Sequence, residues 1–197
     1  MAGAHETMEK AEHATHAAAS NKQIALLISV LALFLAFAET LGKSTQTAAI
    51  SENVVASNLW AFFQAKTIRM TSVRTAAEAM EVEASFTQDS TTKDAMRKRI
   101  ASWQSTAARY DDEPETGEGR KQLVARAKEA EHKRDLAMAR YHHYEVASAA
   151  LQIAIVLASA TIITSMMPLA WISVALGVTG LAFIGIGWFV PEAVHLF

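Results

Sequence analysis

The chain has 197 residues, with 18 Lys and Arg against 20 Asp and Glu, giving a formal net charge of -2. That balance argues against a basic nucleic-acid binder. The lack of Cys excludes a disulfide framework, a thiol nucleophile and a thiolate-ligated zinc or iron–sulfur site. A 51% hydrophobic share averages over two different materials. All Lys and Arg except Lys10 and Lys22 lie between residues 43 and 146, whereas three apolar stretches, Ile24 to Leu41, Ala147 to Met167 and Leu169 to Val190, contain Glu39 as their one charge. In lipid a backbone must satisfy its own hydrogen bonds, so each stretch is read as a helix of about the ~20 residues a span requires.

Residues 1–22 form an Ala-rich polar tail. Its His5, His13 and His16 lack a third fixed ligand on one face and are assigned no metal. The tail carries Glu6, Glu9 and Glu12 against Lys10 and Lys22, so the first apolar stretch lacks the basic flank of a secretory signal and is expected to be a retained anchor. The first span, residues 23–42, presents Ala25, Ser29, Ala32, Ala36, Glu39 and Lys43 at alternating steps of four and three. Small residues let helices approach closely in lipid, where packing drives association, so this stripe is read as an interface, either within the membrane base or between copies. The other reading makes Ser29 and Glu39 the lining of a water-filled path. A carboxylate inside a span is costly when unpaired, which makes Glu39 and the facing Gln152 the intramembrane polar candidates. Lys43, Gln46, His142, His143 and Glu145 are expected to cluster around them at the boundary, with Lys43 or Gln152 as the partner of Glu39.

Residues 43–146 read as helix throughout, folded back as a long antiparallel, coiled-coil-like hairpin outside the membrane. On the outgoing arm Val55, Leu59 and Phe62, then Val73, Ala77, Met80 and Ala84, suggest two apolar stretches separated by a phase slip. Two breaks follow. One is polar, Thr87 to Thr92, with Thr91 and Asp94 resembling a capping box. The other is the acidic run Asp111 to Gly119, whose Pro114, Gly117 and Gly119 oppose helix. Arm lengths decide between them: a tip at the acidic run leaves a mismatch of ~58 Å, whereas a tip near 87–92 lets the arms match. On the return, Met96, Ile100, Trp103, Ala107 and Tyr110, then Leu123, Ala127, Ala130, Ala137, Tyr141, Tyr144 and Ser148, keep a heptad rhythm broken at Arg134. Trp60 and Phe63 with Phe62 spread large rings over more than one face of the outgoing helix. One antiparallel partner cannot bury them all, so either a neighbouring subunit packs there or a ligand does, with an unidentified protein as a further candidate partner.

Residues 147–190 form a transmembrane hairpin, with Pro168 favouring an abrupt stop between its helices. Gly177 and Gly180 mark a close helix crossing, counted here with the surfaces through which copies meet, and Trp171 and Trp188 lie near the headgroup levels. Residues 191–197 form a C-terminal tail. Lys and Arg near the span ends lean toward a cytoplasmic hairpin, although a loop longer than ~60 residues translocates regardless of its charge.

The segments SNLWAFFQAKTIR, Ser57 to Arg69, and HHYEVASAALQIAIVLAS, His142 to Ser159, resemble recurring motifs of a family of bacterial membrane proteins known as domain of unknown function 4337. Phe62 and Phe63 stand where that family often has tyrosine, and Ala150 where Leu is common. The resemblance implies the membrane-embedded fold and a bacterial inner-membrane location, and brings no activity with it. With no glycine-rich phosphate loop, HExxH or triad arrangement, no catalytic residue, metal or cofactor is assigned and no enzyme is expected. The expected role is a self-associating structural or scaffolding membrane protein with lipid and further copies as partners. The alternative is a small oligomeric channel or proton-coupled carrier in which Glu39 titrates.

Overall fold

The computed structural model describes the backbone of residues 2–193 and the side chains of residues 22–193. Among these the protein is all-α, with helices α1 (Ala2–Phe86), α2 (Ser90–Asp111), α3 (Arg120–Thr164) and α4 (Met167–Phe189). Helices α1, α3 and α4 are each long and apolar enough to cross a membrane, with window hydropathies of 2.4, 2.2 and 2.1. Each interruption has a local cause. The Asp89 carboxylate caps α2 by accepting from the Thr92 N–H at 2.7 Å, so the cap stands two residues before the expected Thr91. Asp supplies a charged acceptor to the first-turn amides, and the favourable helix dipole adds to it. Gly117, at φ +68°, takes the left-handed conformation that lets the acidic loop turn, and a Cβ on Gly119 would run into the backbone of Glu113.

Helix α3 ends earlier than Pro168 alone would require. Ser165 sits at φ +56° and donates its N–H to the Thr161 carbonyl at 2.8 Å, closing the last turn. Pro168 then lies in the first turn of α4, where a missing N–H costs nothing. The proline starts the third span instead of stopping the second.

The chain divides into two compact units, Met1–Ala48 with Leu136–Phe197, and Ala49–Asp135. In the first unit α1, α3 and α4 pack around Leu31, Ala38, Ala147, Leu151 and Ala154, with Leu35, Leu176 and Phe183 against them. Small residues set the separation. A Cβ on Gly177 would stand 2.6 Å from Leu31 Cδ2, and one on Gly180 would stand 2.8 Å from Leu151 Cγ and 3.1 Å from the Ala147 carbonyl oxygen. Buried Ser173 donates across the helices to the Ala154 carbonyl at 2.7 Å. Gly177 and Gly180, expected among the surfaces between copies, are therefore occupied by contacts within the chain. The reason is steric: only hydrogen at these positions admits Leu31 and Leu151.

In the second unit α1 faces α2 and the start of α3. Contacts pair Glu81 with Gln104, Thr67 with Arg120, Trp60 with Glu131 and Asn53 with Arg134, so the partner number rises as the α1 number falls. The chain thus reverses at Thr87–Asp89, and the acidic loop lies partway back. The buried residues of α1 in this unit are Ala49, Ala56, Lys66, Met70, Ala77 and Ala84, with Glu52, Leu59, Trp60, Phe62, Phe63, Thr67, Val73, Ala76 and Met80 partly covered. One repeat of seven accounts for the six buried ones, and counting back from Lys66 by sevens also reaches the inward Ile24, Leu31 and Ala38 of the first unit. No phase slip interrupts the buried series; of the residues that suggested one, Val55 is exposed and Phe62 is partly covered. On the return arm Ile100, Ala107, Leu123, Ala127, Ala130 and Ala137 are buried, and Arg134 is the partly covered polar residue in that series.

Candidate functional site

Glu39 and Gln152 meet. The Gln152 amide donates to Glu39 Oε1 at 3.2 Å and lies 3.4 Å from Ser148 Oγ. Both residues remain exposed, at the floor of a cleft of about 460 Å³ between α1 and α3 that is also lined by Lys43, Gln46, Tyr141, Tyr144, Glu145, Ser148 and Ala149. Gln152 reaches Glu39 from the facing helix, so the carboxylate has a neutral hydrogen-bond partner. No ion pair joins Glu39 to Lys43 among the described residues. Such an arrangement answers part of the cost of a carboxylate near lipid while leaving it open to one side.

Of the residues expected around this pair, Lys43, Gln46 and Glu145 line the cleft and the histidines do not. His143 is buried on the opposite side of α3, its Nε2 3.0 Å from the Pro191 carbonyl oxygen and its ring stacked on Phe183. His142 Nδ1 lies 3.6 Å from Glu145 Oε2. A turn of ~100° per residue separates the two rings and sends His143 toward α4. Burial pushes the Tyr141 phenol upward, and Glu145, which accepts from it at 3.3 Å, adds to the rise. Among the described residues no three His, Asp or Glu side chains come together as a metal site, and the side chains of His5, His13 and His16 lie outside the described residues.

The small-residue stripe faces outward. Ala25, Ser29, Ala32, Ala36, Glu39 and Lys43 are all exposed, because α3 and α4 cover the face carrying Ile24, Leu31, Ala38 and Gly42. The stripe's small residues Ala25, Ser29, Ala32 and Ala36 are therefore not packed inside the base, whereas Glu39 at its end still meets Gln152 of α3. Ser29 donates to the Ala25 carbonyl of its own helix at 3.0 Å.

The aromatic group at 60–63 is more fully engaged than its sequence suggests. Trp60 donates its indole N–H to Glu131 at 2.8 Å and meets Phe63 edge-on, with ring centroids 5.6 Å apart. Arg120 lies over Phe63 at 5.0 Å. Lys66 stands 5.4 Å from the Phe62 centroid and 5.3 Å from that of Tyr110. This lysine is buried, and Glu113 and Glu118 of the acidic loop both approach its Nζ at 3.6 Å. The same loop supplies Asp111 to Arg120 at 2.9 Å and Asp112 to Lys121 at 3.0 Å. Its run of acids is thus the counter-charge for cations on the helices beside it. Lys66 was not singled out by sequence, although the repeat of seven places it on the inward face.

The family model described as Domain of unknown function (DUF4337) matches residues 20–190. The chain belongs to that family. No curated protein and no solved structure matches it. The matched region contains the three apolar helices, the Glu39–Gln152 cleft and the whole second unit.

Proposed function

We propose that this member of the family is a self-associating, multi-pass membrane scaffold, with α1, α3 and α4 as spans and residues 49–135 as a coiled-coil-like helical hairpin. The observation that carries this reading is the outward stripe Ala25, Ser29, Ala32 and Ala36. It is an exposed strip of small side chains, flanked on one side by the exposed, larger Leu26, Leu33 and Phe37. Lipid chains gain nothing particular from a run of small side chains, whereas a second helix gains close backbone approach and van der Waals contact. Glu39 and Gln152 at one end of the stripe add polar groups that a facing copy can engage. The heptad repeat of α1 supports the hairpin.

The partners in this reading are membrane lipid and further copies, with another protein at the aromatic region as an additional occupant. Neither nucleic acid, a cofactor nor catalysis enters it. The bacterial inner membrane is the proposed location, with the Lys and Arg balance favouring a cytoplasmic hairpin. Native mass spectrometry of the full chain released from lipid nanodiscs tests the assembly. The wild type is expected to yield defined oligomers and Ala32→Leu with Ala36→Leu to yield monomers; a wild-type chain monomeric at every density overturns the reading.

The open cleft at Glu39 favours a second reading, an oligomeric channel or proton-coupled carrier. In it Glu39 lines a path completed by neighbouring copies. It requires pH-dependent conductance in liposomes that Glu39→Gln abolishes; no conductance above empty liposomes refutes it.

A further inference from the structure

A second cleft, of about 350 Å³, opens where all three apolar helices converge, lined by Leu41, Ser44 and Thr45 of α1, Arg140 and Tyr144 of α3 and Trp188 of α4. Its electrostatics differ from those of the Glu39 cleft. Arg140 is the one charged residue of the lining, and its buried Nε has no hydrogen-bond partner. Among the described residues no carboxylate forms an ion pair with its guanidinium, whereas Arg109, Arg120 and Arg134 each have one. A buried guanidinium nitrogen without an acceptor is costly, and the group is built to hold two oxygens of one anion in its fork.

We propose that this cleft is a binding site for the phosphate of an anionic membrane phospholipid. Arg140 takes the phosphate oxygens. The hydroxyls of Ser44 and Tyr144 and the indole N–H of Trp188 are further donors on the same lining. The position fits a lipid. Leu41 closes the first apolar stretch, Trp188 lies near the end of α4 where an indole anchors at headgroup level, and Arg140 precedes Ala147 by about 10 Å of helix, a distance its long side chain can span toward the boundary. The charge fits as well. A zwitterionic headgroup brings a cationic ammonium beside Arg140, and this lining has no carboxylate to offset it, so a headgroup with net negative charge is the better match. The inference is independent of self-association, since every residue involved belongs to one copy.

The test is native mass spectrometry of the delipidated full chain titrated with phosphatidylglycerol or with phosphatidylcholine of the same acyl chains. The first phosphatidylglycerol is expected to bind at least about tenfold more tightly, the scale of one charge-assisted contact. Arg140→Gln removes that preference, Arg140→Lys retains part of it, and Lys43→Gln in the other cleft leaves it unchanged. Circular dichroism checks each variant, and Ser44→Ala with Tyr144→Phe, which keeps the arginine, weakens the preference severalfold should Arg140→Gln fail to fold. Equal affinity for the two lipids, or a preference that survives Arg140→Gln, overturns the proposal. Displacement of the bound lipid by inorganic phosphate at similar concentration overturns it too, by assigning the site to a free anion.

Discussion

Alanine substitutions at two glycines of α4 separate crowding from helix propensity. A Cβ at Gly180 would meet Leu151 Cγ at 2.8 Å and the Ala147 carbonyl oxygen at 3.1 Å, and the second of these is backbone and cannot swing aside. A Cβ at Gly185 would meet nothing within 4 Å. Replacing either glycine gains up to ~1 kcal/mol of helix propensity, while overpacking a tight contact costs ~1 to 3 kcal/mol. Gly185→Ala is therefore expected to be neutral or slightly stabilising and Gly180→Ala to be neutral to destabilising by up to ~2 kcal/mol. The propensity gain is common to both, so their difference, ~1 to 3 kcal/mol, isolates the α3–α4 contact. Equilibrium unfolding of the full chain in mixed micelles, followed by far-ultraviolet circular dichroism, measures it. Equal stability of the two variants would refute the close crossing at Gly180.

Lys66→Ala removes the buried cation that Glu113 and Glu118 approach at 3.6 Å, together with its contacts to Phe62 and Tyr110. A loss of ~2 to 3 kcal/mol is expected, discounted because Glu118 is half exposed and Glu113 keeps Arg109; Lys66→Met, which retains the stem, loses less. Hydrogen exchange over residues 100–119 reads the loosening. Acid acts on the same unit. Hydrogen bonding by Thr92 holds the Asp89 carboxyl below its ordinary range, Gln122 and then Lys121 do so for Asp112, and Lys133 does so for Glu129. A depressed folded-state value contributes stability above the unfolded value, near 4, and loses it as pH falls through the folded one, so exchange protection in residues 86–135, taken relative to the intrinsic rate at each pH, should fall below about pH 4 and stay level between pH 6 and 8. Glu39→Gln preserves an acceptor for Gln152 and is expected to leave the oligomer distribution in nanodiscs unchanged.

The three apolar helices were legible because runs of ~20 apolar residues have few other uses. The return arm was legible because Ile100, Trp103, Leu123 and Tyr144 contrast with charged neighbours. The outgoing arm was harder to read. Its inward positions include Ala49, Ala56 and Lys66, which carry little hydrophobic signal, whereas the exposed Val55 carries a strong one. Burial of Lys66 depends on carboxylates some fifty residues away, and local pattern cannot reveal such a partner. Glu39 with Gln152 could be paired because both lie a similar distance inside the boundary. The roles of His143 and Arg140 could not be read, since they depend on which side of α3 meets α4. The stripe on α1 was visible as a periodicity, but its direction was set by Gly177 and Gly180 drawing the opposite face of α1 and α3 inward.

Self-association along that stripe is tested most directly by single-cysteine crosslinking in membranes, for which a chain without native Cys is well suited. Copper-catalysed disulfide formation is expected at Ala25→Cys, Ala32→Cys and Ala36→Cys, and weakly or not at all at Leu26→Cys, Leu33→Cys and Phe37→Cys. Equal crosslinking at all six positions, or none at the alanines, would contradict the account.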